Sequence, residues 1–343
     1  MEYDIRRLKE EDFSEWDRLV EESPQGTIFH SSLWISTCAE VLPGEHEIIG
    51  CYKGEELFAG CPIRSYNIGP LKISKSFTSF TSYYDGIVIK PLPKEAKLRT
   101  TESYNKSIIE SISDYFQSEG FSFISLVNSP SLIDIRPFAR RGWIGKITYT
   151  YYLSLENSNF EESFSRLVRR NIRKARAEKI KVIRSNDVEE YLKLLKITLE
   201  RHRSRTLSHF DITKNFIQKI VSMLYEKKIG EIWLAKTSSG ETASGEILLF
   251  DNKRVYWWSA ANNPQFYDTG ASSFLKLVMM EELKNNFTEI DMVEADTPGI
   301  ADFKAGFNPR IVPHYVVEKS SNLYNVAKVI HRNIYWTLKK FTH

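Results

Sequence analysis

The residues with the clearest chemical capacity lie near the C-terminal end of the chain, in the segment Phe303-Lys304-Ala305-Gly306-Phe307. A lysine held between aromatic residues supplies a fixed positive charge, and such a charge stabilises the oxyanion that develops when an acyl group moves to an amine. The alternative interpretation is a solvated lysine on a short surface helix. Lys304 is the first candidate catalytic residue, and Phe303 is a candidate substrate contact.

Three acidic residues, Asp291, Glu294 and Asp296, precede that segment. An attacking amine must lose a proton, and a carboxylate can accept the proton or bind the ammonium form. In an extended strand Glu294 and Asp296 share one face, whereas Asp291 points to the other. Asp291 and Asp296 are therefore candidate catalytic residues, and polar decoration at a strand end is the alternative.

A strongly basic stretch runs from Arg166 to Lys181, with eight lysines or arginines and a single acid, Glu178. Helical spacing gives it one apolar docking face, formed by Phe164, Val168, Ile172 and Ala175. Arginine forks bind phosphate oxygens in pairs, so Arg169 and Arg173 are candidate ligands for an anionic or phosphate-bearing partner. A nucleotide-linked acceptor, CoA or tRNA would fit, and a solvated charged face is the alternative.

Aromatic residues could line a pocket near these groups. In the strand around Trp257, Tyr256 and Trp258 share a face, and Tyr267 follows in the next loop. Core packing is the default for such a strand.

The order of elements occurs twice. A buried strand leads to Phe138-Ala139-Arg140-Arg141-Gly142-Trp143 in the first half and to Phe303-Lys304-Ala305-Gly306-Phe307 in the second, and a tyrosine-containing strand follows each. A glycine that ends a short helix is typical of a left-handed C-terminal cap. The offset of about 165 residues is too long for a solenoid and indicates a duplicated α/β domain.

Length and composition limit the classes of protein. A chain of 343 residues favours two domains, and 42% apolar with 27% charged residues argues against disorder. The net charge of +3 does not by itself indicate nucleic-acid binding, and no DNA partner is expected. No signal peptide or membrane span is expected from the sequence, and Cys38, Cys51 and Cys61 lack metal-ligand spacing. These features predict a reduced cytoplasmic protein without a metal site.

The motifs together resemble the FemABX-type transferases and related acetyltransferase-like domains of the GNAT superfamily. The resemblance rests on the helix start Gly270-Ala271, the strand with Asp291, the Phe303-Lys304-x-Gly306-Phe307 segment and the basic element 169–175. It implies an α/β (α+β) fold with two tandem GNAT-like domains. Each would have a mixed, mostly antiparallel sheet flanked by helices, at 1–152 and 153–320, and a helix over 321–343 would pack back on the body.

The same resemblance implies roles for particular residues. The lysine matching Lys304 lies close to the reacting groups in that family, and a helix-end arginine matching Arg201 binds acceptor phosphate. The first domain would mainly bind the acceptor, and Tyr84 and Asp85 are its candidate contacts on the same cleft. Donors in the family are aminoacyl-tRNA, used on peptidoglycan-precursor peptides, or acyl-CoA, and no permanently bound cofactor is expected. The usual glycine-rich CoA loop is replaced here by Gln265-Phe266-Tyr267-Asp268-Thr269-Gly270-Ala271, and no coiled-coil arm for tRNA is evident.

No nucleophile elbow, Cys-His pair, P-loop or dinucleotide fingerprint occurs in the sequence. The sequence therefore predicts direct attack by an acceptor amine on an aminoacyl or acyl donor. An acyl-CoA-dependent N-acyltransferase is the first alternative, and a non-catalytic protein that binds an anionic ligand is the second. Peripheral contact with a membrane stays open.

Overall fold

The computed structural model describes residues 3–75, 81–156, 159–201 and 210–330. The chain forms two compact units. Unit 1 comprises residues 1–39, 43–147 and 314–343, and unit 2 comprises residues 40–42 and 148–313. The domain limits predicted from the sequence, 152/153 and 320/321, lie a few residues from these divisions.

Both units are built from strands and helices. The strands are β1 Asp4–Arg7, β2 Glu45–Lys53, β3 Glu56–Ile68, β4 Leu71–Ser74, β5 Val88–Ile89, β6 Phe123–Val127, β7 Ile144–Ser154, β8 Lys181–Ser185, β9 Gly230–Lys236, β10 Thr242–Phe250, β11 Val255–Asn262, β12 Glu289–Asp291 and β13 Arg310–Ser320. The helices are α1 Phe13–Glu22, α2 Ser32–Val41, α3 Leu98–Ser118, α4 Arg136–Arg140, α5 Phe160–Ser163, α6 Arg166–Ala177, α7 Val188–Arg201, α8 Phe210–Lys227, α9 Ala271–Leu283 and α10 Pro298–Ala305.

The sheet of unit 1 has the strand order β1-β2-β3-β4-β6-β13, and β5 pairs with β3. Its first four strands form an antiparallel meander. Strand β6 lies parallel to β4, and residues 316–320 of β13 pair antiparallel with β6. The sheet is therefore mixed and mostly antiparallel.

The sheet of unit 2 repeats this arrangement in the order β8-β9-β10-β11-β12-β7. An antiparallel meander of four strands is followed by the parallel strand β12, and residues 152–154 of β7 pair antiparallel with β12. The last strand of each sheet comes from the other half of the chain. Strand β7, which follows α4, completes the sheet of unit 2, and β13, which follows α10, completes the sheet of unit 1. The predicted fold class, with its repeated mixed sheet flanked by helices, is confirmed.

Each unit has its own apolar core. In unit 1, helix α3 covers the sheet with Ile108, Ile109, Ile112 and Phe116, all fully or almost fully buried. In unit 2, helices α6 and α9 pack together against the sheet and bury Val168, Ile172 and Ala175. Helical periodicity had predicted this docking face of α6. Burial of these side chains provides the main driving force for folding of both units.

Some local details differ from the sequence-based expectations. The predicted docking face began at Phe164, but Phe164 lies before α6, and Ser165 caps that helix through a bond from the Val168 N–H to the Ser165 hydroxyl at 3.3 Å. The edge strand β8 was not predicted, because its polar residues hide the alternation. Gly142 has the expected left-handed φ of 78°, whereas Gly306 is right-handed with φ of −61°. The prediction of a left-handed cap was therefore wrong for Gly306.

Across the parts of the chain that the structure describes, no helix is both long enough and apolar enough to cross a bilayer.

Candidate active site in unit 2

An ion pair lies in the interior of unit 2, between the third strand of the meander and the helix that covers it. The Lys276 ammonium of α9 donates a hydrogen bond to Glu246 Oε2 of β10 at 2.6 Å. Only 4% of the lysine side chain and 2% of the glutamate side chain are exposed. Burial raises the pKa of Glu246, and the adjacent Lys276 charge opposes that rise. Two buried charges of opposite sign compensate each other here.

Aromatic rings surround the ammonium group of Lys276. Its Nζ lies 4.6 Å from the ring centre of Trp257 and 5.8 Å from that of Phe303. An aromatic face attracts a cation, and the attraction is stronger where water is excluded. The rings therefore help to hold the charged form of Lys276 in the interior.

The segment after α10 is anchored by aromatic packing. Phe307 is fully buried and makes edge-to-face contacts with Phe164, Trp257 and Phe303 at centroid distances of 5.2, 5.9 and 5.3 Å. The Ser165 N–H donates to the Gly306 carbonyl at 2.8 Å. A Cβ on Gly306 would lie 2.8 Å from Val168 Cγ2, so the close approach of α6 explains the glycine.

Lys304 projects from this anchored helix and is only partly exposed to solvent. Its Nζ donates a hydrogen bond to the Glu294 carbonyl at 2.6 Å. Burial lowers the pKa of Lys304 to about 8, while the charges of Glu294 and Glu246 offset part of this effect and Lys276 adds to it. The site therefore holds a lysine that can exist as ammonium or amine near neutral pH.

The backbone at Glu294 leaves the strand in an unusual conformation. Val293, a buried β-branched residue, has φ of 59°, which is strained for such a side chain. On either side, the Met292 N–H bonds to the Tyr151 carbonyl at 2.8 Å and the Ala295 N–H bonds to the Tyr149 carbonyl at 3.1 Å. The strain is therefore confined to the short bulge that presents the Glu294 carbonyl to Lys304.

The two predicted catalytic acids occupy different environments. Asp291 is fully buried on β12, where its Oδ1 accepts bonds from the Thr150 hydroxyl at 2.5 Å and the Val293 N–H at 2.8 Å. These contacts fix the base of the bulge. Asp296 is exposed in the loop before α10, and its Oδ2 accepts a bond from the Tyr149 N–H at 3.3 Å. The prediction that Glu294 and Asp296 share one face of an extended strand does not hold, because β12 ends at Asp291.

The basic helix α6 begins beside the Lys304 segment, at Ser165. Four of its arginines are exposed and, among the residues that the structure describes, have no carboxylate within ion-pair distance; they are Arg166, Arg169, Arg170 and Arg173. Arg176, one turn further on, is instead paired with Glu161 at 2.8 Å. We call these four unpaired side chains the arginine ridge. Arg201 ends α7, and its side chain lies outside the described part of the chain.

The predicted pocket aromatics are placed differently from one another. Tyr256 and Trp258 are buried in the core, where the Tyr256 hydroxyl donates to Asp251 at 2.6 Å and Trp258 contacts Phe216. The other face of β11 carries Trp257, which lies against Lys276. Trp257 is therefore the β11 aromatic beside Lys276, and the predicted substrate-binding roles of Tyr256 and Trp258 stay predictions. Tyr267 lies on a 3-10 turn and is 45% exposed.

Tyr84 and Asp85 belong to unit 1 and are both buried. The Tyr84 ring makes edge contacts with Phe29 and His314, at centroid distances of 6.2 and 5.4 Å. Asp85 Oδ1 accepts a bond from the Val127 N–H at 2.8 Å. In unit 1 these contacts give both residues a role in packing, and their role in acceptor binding stays a prediction.

The start of α9 is the position at which the resemblance to GNAT enzymes implies a CoA pyrophosphate site. Gly270 has a left-handed φ of 76°, and a Cβ there would lie 2.1 Å from the Asn171 carbonyl oxygen of α6. The Ala271 N–H, the first of the helix, already donates to the Thr269 hydroxyl at 3.3 Å. Both features reduce the capacity of this helix start to bind an anion.

Comparisons with known proteins agree with the fold. Residues 162–305, which contain Glu246, Lys276 and Lys304, match the family of GNAT acetyltransferase domains. No curated protein sequence matches the chain significantly. The resemblance to the GNAT superfamily is therefore confirmed, and this segment is an acyltransferase domain of the GNAT type. The prediction of an acyltransferase enzyme is confirmed at the same level.

Solved structures extend the likeness to nearly the whole chain. The structure of FemX aligns with a TM-score of 0.69 and 15% identity over 94% of this chain and 99% of that one. A tandem GNAT protein from the clavulanic acid biosynthesis pathway aligns with a TM-score of 0.56 and 9% identity, covering 93% and 98%. The structure of L-PGS from Bacillus licheniformis aligns with a TM-score of 0.53 and 11% identity over 94% of this chain and 96% of that one. At these identities the likeness shows a shared tandem GNAT fold.

The sequence analysis missed Glu246, Lys276 and Trp257. A signal for the ion pair was present in the sequence. Lys276 is the one charged residue in the apolar run 274–280 of α9, and Glu246 is the one charged residue of β10. A charge is rarely buried without a partner. Two isolated charges of opposite sign in buried elements of one domain predict a pair.

Proposed function

We propose that unit 2 catalyses transfer of an aminoacyl group, in the manner of the FemABX type, from an ester donor to an amine acceptor. The observation that carries this proposal is Lys304, a partly buried cation with a pKa lowered to about 8 on an anchored helix end. A charge in such surroundings interacts strongly with a developing negative charge, because little water screens it.

The reaction needs no covalent enzyme intermediate. The acceptor nitrogen attacks the donor carbonyl carbon, a C–N bond forms, and the C–O bond to the departing hydroxyl breaks. The proton lost by the nitrogen goes to the departing oxygen. Lys304 stabilises the negative charge on the carbonyl oxygen or the departing oxygen during this exchange, and the Glu294 carbonyl orients its ammonium group.

The arginine ridge supports a phosphate-bearing substrate at the same site. Its helix begins at Ser165, whose N–H holds the Gly306 carbonyl two residues after Lys304. Exposed arginines without carboxylate partners favour phosphate, which their planar forks bind through two oxygens at once. A tRNA donor, or a nucleotide-linked peptidoglycan precursor as acceptor, would bring phosphates to this helix, and Arg169 and Arg173 are the residues to test.

Acyl-CoA is the second candidate donor, and the match to acetyltransferase domains favours it. The start of α9 argues against the usual mode of CoA binding, because the Asn171 carbonyl packs against Gly270. A carbonyl oxygen next to the helix start repels a pyrophosphate. The ester donor is therefore the first choice.

A transfer assay with the full chain tests the proposal. Aminoacyl-tRNA and a set of acyl-CoAs are offered with a nucleotide-linked peptidoglycan precursor, and the product is detected by mass spectrometry. Product is expected from aminoacyl-tRNA, with a rate that falls steeply as salt is raised. If CoA is the donor, product forms with acyl-CoA and the salt dependence is shallow.

Matched variants separate catalysis from folding. Lys304→Met keeps the aliphatic stem and removes the charge, while Lys106→Met removes an exposed lysine of α3 in unit 1. Only Lys304→Met should abolish product formation, and both should melt like the wild type. Undiminished transfer by Lys304→Met contradicts the proposed mechanism. Absence of product from every donor and acceptor contradicts this function and favours a binding protein.

A further inference from the structure

The buried ion pair of unit 2 contacts the residue that precedes Lys304. The Lys276 ammonium, which is bonded to Glu246 Oε2 at 2.6 Å, lies 5.8 Å from the ring centre of Phe303. Phe303 in turn packs edge to face on Phe307 at 5.3 Å. These contacts connect the pair, on β10 and α9, with the aromatic residues on either side of Lys304.

Stability alone gives little reason for this pair. Glu246 and Lys276 each stand among uncharged residues, in β10 and in the run 274–280 of α9. Two charges withdrawn from water gain about as much from their attraction as they lose in hydration, and apolar side chains of similar size stabilise an interior equally well. The pair therefore indicates a use besides stability.

Charged groups from several elements act on Lys304. Burial has the largest effect and lowers the pKa of Lys304, and the Lys276 charge lowers it further. The carboxylates of Glu294, Glu246 and Asp291 act in the opposite direction. The two members of the ion pair therefore act on Lys304 with opposite signs, and their effects offset each other while both are charged.

Other charges on the neighbouring elements face solvent. Asp296 and Asp302, before and on α10, and the arginine ridge on α6 are exposed. Water and salt screen such charges. The largest contributions to the charge around Lys304 from the interior of unit 2 therefore come from the ion pair and from Asp291.

We propose that Glu246 and Lys276 are positioning residues for Lys304 in the transfer reaction. The Lys276 ammonium holds Phe303, and Phe303 fixes the helix end from which Lys304 projects. The paired charges also cancel, so the pair adds little net charge beside the Lys304 ammonium. The role of the pair rests on the proposed function, because a positioning residue needs a reaction to serve.

The pH dependence of transfer by the full chain tests the pair. Glu246→Gln keeps the shape of the side chain and leaves an unbalanced positive charge in the interior. The pH at which kcat/KM falls should therefore move about one unit below that of the wild type. Lys276→Met removes the positive charge, so the same pH should move about one unit above that of the wild type. Glu246→Gln with Lys276→Met should restore the wild-type value.

Competitive labelling of lysines measures the same charge without a transfer assay. Acetic anhydride reacts with the amine form of a lysine, so the acetylation of Lys304 against pH, read by mass spectrometry, gives the midpoint of its deprotonation. The midpoint should fall in Glu246→Gln and rise in Lys276→Met. Lys106, exposed on α3 in unit 1, is the internal reference, and its labelling should be the same in every variant.

Glu190→Gln is the matched control. Glu190 forms a half-buried ion pair with Lys236 of the same unit at 2.8 Å, and its loss should leave the Lys304 midpoint unchanged. Each variant of the buried pair has its own expected direction, so one folded variant is enough for the test.

Two results separate this role from the proposed function. If the Lys304 midpoint moves in the same direction in Glu246→Gln and Lys276→Met, or in neither, the pair is only structural and the positioning role is overturned, whatever the transfer assay gives. Opposite shifts in labelling without product from any donor would uphold the control of Lys304 by the pair and contradict the proposed function alone.

Discussion

The two units contain the same short helix, glycine and aromatic residue after corresponding strands, but they surround it differently. In unit 1, Phe138 and Trp143 pack edge to face at 5.3 Å, and the exposed Ala139 stands at the position of Lys304. In unit 2, Phe303 and Phe307 pack at the same distance. The aromatic pair is therefore what the fold requires, and the lysine is an addition specific to unit 2.

The strands beneath the two segments show the same contrast. Strand β3, third in the meander of unit 1, buries Ala59, Cys61 and Ile63. Strand β10, third in the meander of unit 2, buries Glu246 against Lys276. A buried ion pair adds little stability over apolar side chains of similar size. Its presence in one unit supports the proposal that unit 2 carries out the transfer reaction.

The largest effect is expected from replacing only one member of the buried ion pair of unit 2 by an apolar residue. Glu246→Leu leaves the Lys276 ammonium buried without its carboxylate, and the free energy of unfolding should fall by about 3–5 kcal/mol. Glu246→Leu with Lys276→Met should recover most of the loss, because it recreates the apolar interior of unit 1. Urea unfolding measures both. An unchanged free energy of unfolding in Glu246→Leu would show that the fold does not require the ion pair.

Exchanging the residues at the two equivalent positions tests where the reaction occurs. Lys304→Met should lower kcat/KM for transfer by about 10²–10³-fold, the usual effect of removing one group that stabilises an oxyanion. Ala139→Lys should leave the rate unchanged, because Ala139 is exposed and β3, which the structure describes in full, buries no charged residue. Loss of activity in Ala139→Lys as well would mean that unit 1 takes part in the chemistry.

The pH dependence should reveal the charge of Lys304. Because its pKa is lowered to about 8, the ammonium form predominates below pH 8 and the amine form above it. If the ammonium stabilises the transition state, kcat/KM falls about tenfold per pH unit above pH 8. Lys304→Arg should remove this decline, since arginine stays charged. A rate that instead rises through pH 8 would make Lys304 a base.

The smallest effects distinguish the two glycines. Gly142 is left-handed with open space around it, so Gly142→Ala should cost about 1 kcal/mol and Gly142→Asn less, since asparagine tolerates that conformation. Gly306 is right-handed and lacks room, so Gly306→Asn should be no better than Gly306→Ala. Thermal unfolding gives the four values. If alanine and asparagine had the same relative effects on stability at both positions, the two glycines would be required for the same reason.

Much of the fold could be predicted from the sequence because its signals are local. The periodicity of Val168, Ile172 and Ala175 predicted the docking face of α6. The pairing of β7 with β12 and of β13 with β6 was not predicted. These pairs join residues about 140 and 190 positions apart, and no local pattern specifies such partners.

The candidate site divides in the same way. The sequence by itself determined that a lysine stands between Phe303 and Gly306, that a basic helix lies near the start of the second domain, and that the usual CoA loop is missing, because these are properties of neighbouring residues. Only the tertiary structure decided that Glu246 and Lys276 meet, that Trp257 faces them, and that Lys304 is buried enough to lower its pKa. Burial and charge pairing arise from elements distant in sequence, so they exist only once the chain has folded.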